Sequence, residues 1–208
     1  MPELPYPQRS PEWFEARKGK VTASLAAACL GLDKNTSRQK AWRIVMGTEK
    51  ERENEAMAWG KEFEDKARES YQVETGNVVD PSGFWILPWA WPENKDRGSW
   101  LGASPDGLVG TDGLVEIKCP GTLPTAIPLH HRIQCLTQLL VTGRQWCDYY
   151  SWTHNGTFLD RVRRSGLPGL LRRLEDFYLS YVITNTEPPR KKRKKCRKSL
   201  HEAESSPG

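Results

Sequence analysis

Apolar residues recur at helical spacing in several parts of the chain. Phe63, Ala67 and Tyr71 occupy every fourth position within residues 55–73, and Gly76 follows, so the pattern predicts an amphipathic helix that ends near this glycine. Ser10 before Pro11 is typical of a helix start. Spacing and end signals predict further helices at residues 11–17, 22–30, 38–47 and 128–142, and a last helix with an apolar face from Leu170 to Tyr181.

Alternation with a period of two predicts strands between these helices. Residues 114–119 place Leu114, Glu116 and Lys118 on one face, and Val115 and Ile117 on the other, where they can enter a core. Further strand-like stretches are residues 78–88, 98–109 and a hairpin of 146–152 with 157–163 around Asn155-Gly156. The order of elements predicts an α/β fold with a central mixed β-sheet flanked by helices.

The turn at residues 110–113 allows residues 104–109 to fold back onto 114–119 as a hairpin. Asp106 then lies close to Glu116 and Lys118. Two carboxylates and an ammonium suit a hard divalent cation and a reacting phosphate. An acid-x-Lys pattern at a strand end is more commonly a solvated salt-bridging face. The preceding Pro105-Asp106-Gly107, the hairpin spacing and the apolar reverse face favour a site.

Charge is concentrated at one end of the chain. The 208 residues carry a net charge of +5, and residues 190–198 contain eight basic side chains. Residues 1–189 then hold 23 basic and 24 acidic residues, a net charge of −1. We therefore predict a single folded domain at 1–188 and a flexible basic tail at 189–208. The tail has the composition of a nuclear-import signal or a nucleic-acid-binding arm, although a solubilising charge run has the same composition.

Other compositional features exclude several classes of protein. Five cysteines without a C-x-x-C pair argue for a reducing compartment and against a disulfide framework or structural zinc site. The adjacent His130 and His131 are better read as a polar helix face than as metal ligands. No apolar run approaches the length of a membrane span, and the first residues do not read as a secretory signal. We expect an intracellular protein, in the host cytoplasm or nucleus.

Two further groups of residues have open interpretations. Trp85, Trp89 and Trp91 lie in an aromatic-dense segment, in which Trp89 or Trp91 could stack on bases or wedge a duplex end. Core packing or a subunit contact is the more common role of such residues. Five arginines could follow a phosphate backbone or form an exposed face: Arg161, Arg163, Arg164, Arg172 and Arg173.

Six stretches taken together resemble a known family. They are RSPEWFEAR at residues 9–17, GKVTAS at 19–24, AWGKEFE at 58–64, ASPDG at 103–107, VEIKCP at 115–120, and residues 134–143. They resemble, in the same order, the λ-exonuclease-like, YqaJ-type viral recombinase branch of the PD-(D/E)xK nuclease superfamily. The resemblance implies a restriction-endonuclease-like core and an alkaline, Mg²⁺-dependent exonuclease that degrades one strand of duplex DNA from its 5′ end, with Mn²⁺ able to substitute. It also implies a ring-shaped homotrimer and a single-strand annealing protein as partners.

The resemblance assigns roles to the acidic and basic residues of the predicted hairpin. Asp106 and Glu116 match metal-binding carboxylates, and the Ile117 carbonyl matches a further metal ligand. Lys118 matches the catalytic lysine that orients the attacking water and offsets phosphate charge. Glu64 matches a helix-borne acid that completes the metal site.

Further positions match DNA-binding residues or flank the active site of the family. Three of them match residues that hold a terminal 5′ phosphate: Arg17, Ser24 and Ser104. Gln134 matches a glutamine beside the active site. A second family glutamine is Leu136 in this sequence, with Gln138 one helical step away, so the role of that helix face stays open.

Two other functions share the same sequence features. A structure-specific or restriction-like endonuclease can use the same fold, because a fold alone does not fix the polarity or the requirement for a DNA end. A non-catalytic DNA-binding protein could also retain the fold, although intact Asp106, Glu116 and Lys118 argue against it.

Overall fold

The fold alternates short helices with two small sheets. The computed structural model describes residues 2–49, 55–87 and 99–190. In these residues the helices are α1 (Pro11–Arg17), α2 (Ala23–Cys29), α3 (Arg38–Val45), α4 (Glu55–Thr75), α5 (Leu129–Thr142) and α6 (Leu167–Phe177), which continues as a π-helix (Tyr178–Ile183). All the predicted helices are present. Ser10 caps α1 by accepting a hydrogen bond from the Trp13 N–H, and Gly143 ends α5 in the left-handed conformation, as predicted.

The strands are β1 (Glu3–Leu4), β2 (Val21–Thr22), β3 (Val79–Asp80), β4 (Phe84–Ile86), β5 (Leu101–Ala103), β6 (Gly107–Val109), β7 (Gly113–Lys118), β8 (Trp146–Thr153) and β9 (Gly156–Arg163). They form two mixed sheets, with strand orders β1-β4-β5-β2 and β3-β6-β7-β8-β9. The α/β class and the mixed pairing are as predicted. A single central sheet was expected, and the second sheet is a difference from that expectation.

Two predicted strands are interrupted by proline at the points where the chain passes from one sheet to the other. The described residues 78–87 divide into β3 and β4 at Pro81, and residues 99–109 divide into β5 and β6 at Pro105. Proline has no N–H to donate to a ladder, so each segment leaves one sheet and joins the other. Gln8 connects the two crossings, because its side-chain amide donates to the Ser82 carbonyl at 3.2 Å and the Pro105 carbonyl at 2.8 Å. Asp106 lies at the second crossing.

Strand β7 is covered on both faces by helices. Val115 and Ile117 pack with Ala67 and Tyr71 of α4, as the alternation predicted. Leu114, on the opposite face, packs with residues of α5. Glu116 shares the Leu114 face and is completely buried, so it does not belong to a solvated salt-bridging face.

An ion pair between a buried carboxylate and a partly exposed arginine fastens β8 to β9. Asp148 lies opposite Arg161 in the antiparallel pair and accepts from Arg161 Nε at 2.6 Å and Nη2 at 2.9 Å. Tyr71 donates its hydroxyl to the same carboxylate at 2.7 Å, and the Arg161 guanidinium stacks 3.7 Å from the Trp146 ring centroid. This contact gives Arg161 a structural role, while its side chain remains 39% exposed.

We expect Asp148→Ala to lower the free energy of unfolding by about 3 kcal/mol, because it leaves a partly buried guanidinium and a tyrosine hydroxyl without their acceptor. Urea unfolding checks this value. Asp160→Ala is the matched control, because Asp160 is the residue before Arg161 on β9 and its side chain is exposed. We expect this substitution to change the free energy of unfolding by less than about 1 kcal/mol. Equal stability losses in the two variants would contradict the structural role of Asp148.

Several sequence predictions concern residues near or beyond the limits of the described structure. Trp85 packs against the core, and its Nε1 donates to Ser82 Oγ at 2.9 Å. Trp89, Trp91 and residues 191–208 of the basic tail lie outside the described residues. Within the described part of the chain, no helix combines the length and the apolar character that crossing a bilayer requires.

Candidate active site

Asp106 and Glu116 meet where the chain enters the β6–β7 hairpin. Gly107 pairs with Val115, so the preceding Asp106 lies opposite the following Glu116. Asp106 Oδ2 accepts a hydrogen bond from the Ile117 N–H at 2.7 Å. This main-chain contact fixes one carboxylate against the strand that carries the other. The proximity expected from the hairpin spacing is present.

Glu116 accepts hydrogen bonds from side chains on two elements. Lys118 Nζ contacts Oε1, and the amides of Gln134 and Gln138 on α5 donate to Oε1 and Oε2 at 2.6 and 2.5 Å. A buried carboxylate without partners is costly, and these three side chains supply its hydrogen-bond partners. They also restrict its orientation, which is the requirement for a residue that must hold a ligand in one position.

Gln138 is a site residue whose role the sequence left open. It is fully buried, and the Cys147 thiol makes a weak 3.7 Å contact with its amide oxygen, which leaves the amide nitrogen for Glu116. The available signal was the spacing of four residues between Gln134 and Gln138, which places both amides on one face of α5. Leu136, at the position of the second family glutamine, packs among apolar side chains.

The site concentrates negative charge around Asp106. Loss of water around the Asp106 carboxyl, followed by repulsion from Glu116 and Glu64, raises its pKa well above the usual range, against the opposing effect of Lys118. Burial alone would lower the pKa of Lys118, but the attraction of Glu116 and Asp106 outweighs burial, so its pKa is raised and the ammonium remains charged. An added cation would therefore relieve the repulsion between Asp106 and the neighbouring acidic side chains.

The oxygen atoms at this site are suitable ligands for a hard divalent cation. Asp106, Glu116 and the main-chain carbonyl of Ile117 are oxygen donors, and Mg²⁺ is commonly bound by one or two carboxylates together with waters. Burial raises the pKa of the neighbouring Cys119 thiol to about 11, so it does not offer a thiolate. In the described residues, no group of three or more His, Cys, Asp or Glu side chains is close enough to hold a metal ion. A cation here would rely on two carboxylates.

Glu64, on α4, lies close enough to Asp106 for its charge to help raise the pKa of that carboxyl. Its carboxylate contacts Arg9 at 2.7 Å and Arg68 at 3.4 Å. Arg9 has a positive φ of 71°, which is uncommon for a residue with a side chain and costs about 1 kcal/mol or more. Arg9 is thus an ion-pair partner of Glu64 to which the sequence alone gave no role.

His131 of α5 and Tyr149 of β8 are two further polar residues close to Glu116. Tyr149 pairs with Glu116 in the β7–β8 ladder, and its hydroxyl lies 2.9 Å from His131 Nδ1. Burial, with a contribution from Lys118, lowers the pKa of His131 to about 3. His131 therefore stays neutral near pH 7 and adds no positive charge beside Lys118.

Arg17 and Ser104, two of the predicted phosphate-binding residues, are linked by one indole ring. The Arg17 guanidinium stacks 4.0 Å from the Trp13 ring centroid, and Trp13 Nε1 donates to Ser104 Oγ at 2.8 Å. Ser104 is separated from Asp106 only by Pro105. Ser24 lies near the sheet that contains β5. Its hydroxyl oxygen is 3.1 Å from that of Thr22, and Thr22 of β2 pairs with Gly102 of β5. The structure thus places these residues around β2, β5 and the crossing that carries Asp106.

The two mixed sheets flanked by helices, with Pro105-Asp106 preceding a buried Glu116-x-Lys118 strand, define a nuclease fold of the PD-(D/E)xK type. Within this class, the chain belongs to the family of the YqaJ-like viral recombinase domain, whose sequence profile matches residues 12–145. No curated protein sequence matches the chain.

Solved structures agree with this assignment. An alkaline exonuclease from Laribacter hongkongensis is 34% identical, with a TM-score of 0.69 over 85% of this chain and 94% of its own. The same exonuclease in complex with dAMP gives a TM-score of 0.67 at the same identity and coverage. A phage-related exonuclease from Haemophilus somnus 129PT shares the fold at 12% identity, with a TM-score of 0.59 over 80% of this chain and 93% of its own.

Proposed function

We propose that this protein is a metal-dependent exonuclease that hydrolyses phosphodiester bonds of linear double-stranded DNA. The main observation is the fully buried Glu116, held by Lys118 and two glutamines beside Asp106, in a chain that is 34% identical to an alkaline exonuclease. Nucleases of this family typically use a divalent metal ion, and we propose Mg²⁺, with Mn²⁺ as a substitute. Asp106, Glu116 and the Ile117 carbonyl would hold it. Glu64, which is paired with Arg9 and Arg68 in this structure, would complete the site by exchanging those contacts for the cation.

The proposed chemistry divides between the cation and the side chains. When bound, a divalent cation supplies stabilisation of the negative charge that develops on the phosphate. Lys118 remains charged and can offset charge on the reacting phosphate while orienting the attacking water. Gln134 and Gln138 hold Glu116 in place, so that the carboxylates need little reorganisation during the reaction.

We further propose that cleavage starts at a 5′ end and proceeds in the 5′ to 3′ direction. Arg17 offers a planar fork for a terminal phosphate, and Ser24 and Ser104 offer hydroxyl groups near it. The contact between Trp13 and both Arg17 and Ser104 supports a joint role for these side chains. A terminal phosphate held here would be presented to the crossing that carries Asp106.

We expect linear duplex DNA with a 5′ phosphate to be digested faster than the same DNA with a 5′ hydroxyl, and closed circles to survive. Arg17→Ala should reduce that preference about tenfold or more, because a charge-assisted contact contributes about 1.5–3 kcal/mol. The measurement is the initial rate of digestion of each DNA substrate, once with Mg²⁺ and once with a chelator. Lys18→Ala is the matched control, since Lys18 is adjacent, exposed and paired with Glu15. Efficient cutting of closed circles would favour the endonuclease alternative.

The biological setting is also part of this proposal. We propose a role in viral or phage recombination and DNA processing, as a homotrimeric ring that acts with a single-strand annealing protein. We propose residues 1–188 as the nuclease domain and residues 189–208 as an arm that binds DNA or directs nuclear import. The arm's eight basic residues, attached to a domain of charge −1, support its contribution to DNA affinity.

A further inference from the structure

Four rings form a cluster beside the candidate active site, and we call it the aromatic platform. It consists of Trp59 and Phe63 of α4, Trp152 of β8, and His154 of the β8–β9 turn. Phe63 is central: its ring centroid lies 4.3 Å from that of Trp59, 5.7 Å from that of Trp152, and 4.9 Å from that of His154. The planes of Phe63 and Trp152 are 21° apart, so these two rings are stacked.

The chain connects the platform to the site on two sides. Phe63 immediately precedes Glu64, the acid on α4 whose charge reaches Asp106. Trp152 immediately follows Ser151, which is paired with Lys118 in the β7–β8 ladder. Because side chains alternate along a strand, Trp152 lies on the α4 face of the sheet, so the platform flanks the candidate site on the side of Glu64.

Part of the platform lies at the protein surface, although Trp152 packs against the core cluster that contains Ala67 and Tyr71. Trp59 is 41% exposed, whereas Trp13 and Trp100 are buried, and His154 is also exposed. Lys66 Nζ lies 5.7 Å from the centroid of Phe63, which adds positive charge at the edge of the rings. Exposed aromatic rings with adjacent basic side chains are the combination by which proteins hold unpaired nucleic acid.

We propose that the aromatic platform binds an unpaired nucleobase of the DNA strand that occupies the active site. This inference rests on the proposed function, because degradation of one strand requires that strand to separate from its partner near the site. Stacking on an aromatic ring accepts any of the four bases, since each has a π face, and so suits an enzyme that must advance through every sequence. Trp59 is the principal stacking residue because it is the most exposed large apolar ring of the platform.

The test compares DNA with and without bases at its unpaired end. Binding is measured in an Asp106→Asn background that blocks cleavage, with a duplex carrying a short unpaired thymidine tail and with the same duplex carrying abasic nucleotides there. Trp59→Ala should weaken binding of the thymidine probe about tenfold and leave binding of the abasic probe unchanged. Trp59→Phe, which keeps a ring, should retain most of the affinity.

Val73→Ala is the matched control, because Val73 is an apolar residue of the same helix that is 87% exposed. It should alter neither binding constant. Equal losses with both probes, or no loss with either, would overturn the inference. A Trp59→Ala variant whose oligomeric state changes without a base-dependent loss would identify the platform as a subunit contact and would also overturn it. Failure of the wild-type protein to cleave linear duplex DNA would contradict the proposed function, while the comparison of probes would still judge the platform separately.

Discussion

Replacing Asp106 with asparagine should abolish DNA cleavage while the protein remains folded. Asparagine can still accept the hydrogen bond from the Ile117 N–H through its side-chain oxygen, so the main-chain contact at 2.7 Å is preserved. The negative charge is lost, and with it one of the two carboxylates that would hold the cation. Because the Asp106 carboxyl is desolvated and repelled by Glu116 and Glu64, its neutralisation should not lower stability without metal.

Two measurements separate this expectation from simple unfolding. Mg²⁺ or Mn²⁺ at one hundred times its dissociation constant should stabilise the wild-type protein by about 2.7 kcal/mol, and the thermal midpoint of Asp106→Asn should not respond. Asp112→Asn, in the exposed turn of the same hairpin, is the control and should keep both activity and the metal response. Near wild-type turnover of Asp106→Asn would remove the nuclease assignment.

The second large effect is expected at Lys118. Lys118→Met keeps most of the volume of the side chain and removes the ammonium that contacts Glu116 and that we propose offsets charge on the reacting phosphate. Loss of one positioned charge contact in a transition state costs about 2.7–4 kcal/mol, so the rate of cleavage should fall about 100- to 1,000-fold. Binding of duplex ends should change little, because most DNA affinity comes from many phosphate contacts.

Single-turnover rates and equilibrium binding measure these two effects separately. Lys34→Met, at an exposed lysine between α2 and α3, is the control for loss of one positive charge and should leave the single-turnover rate unchanged. An equal loss of affinity and rate in Lys118→Met would make Lys118 a simple DNA-binding residue.

Local patterns predicted most of the helices because their signals are contained within a few residues. The Ser10-Pro11 start of α1, the Phe63–Ala67–Tyr71 stripe of α4 and the Gly143 end of α5 each depend on neighbouring positions only. The β6–β7 hairpin was predictable for the same reason. Its short turn fixes the register, and the register brings Asp106 to Glu116.

The division into two sheets was not predictable from alternation. Residues 98–109 have strand-like composition throughout, and only pairing with distant partners shows that Leu101–Ala103 and Gly107–Val109 belong to different sheets. Pro105 marks the break, but proline by itself does not specify what the chain joins next. The position of Asp106 at this crossing is therefore a tertiary property.

By itself, the sequence determined the helices, the hairpin, the Asp106–Glu116 pairing and the resemblance to the YqaJ-type family. Each of these depends on residues close together or on motifs in a fixed order. The tertiary structure alone decided that α5 covers Glu116, that Gln138 joins Gln134 on its carboxylate, and that Arg161 turns to Asp148. It also assembled the aromatic platform from α4 and the β8–β9 hairpin. The physical reason is that burial and partner choice depend on contacts between distant segments, which local periodicity does not encode.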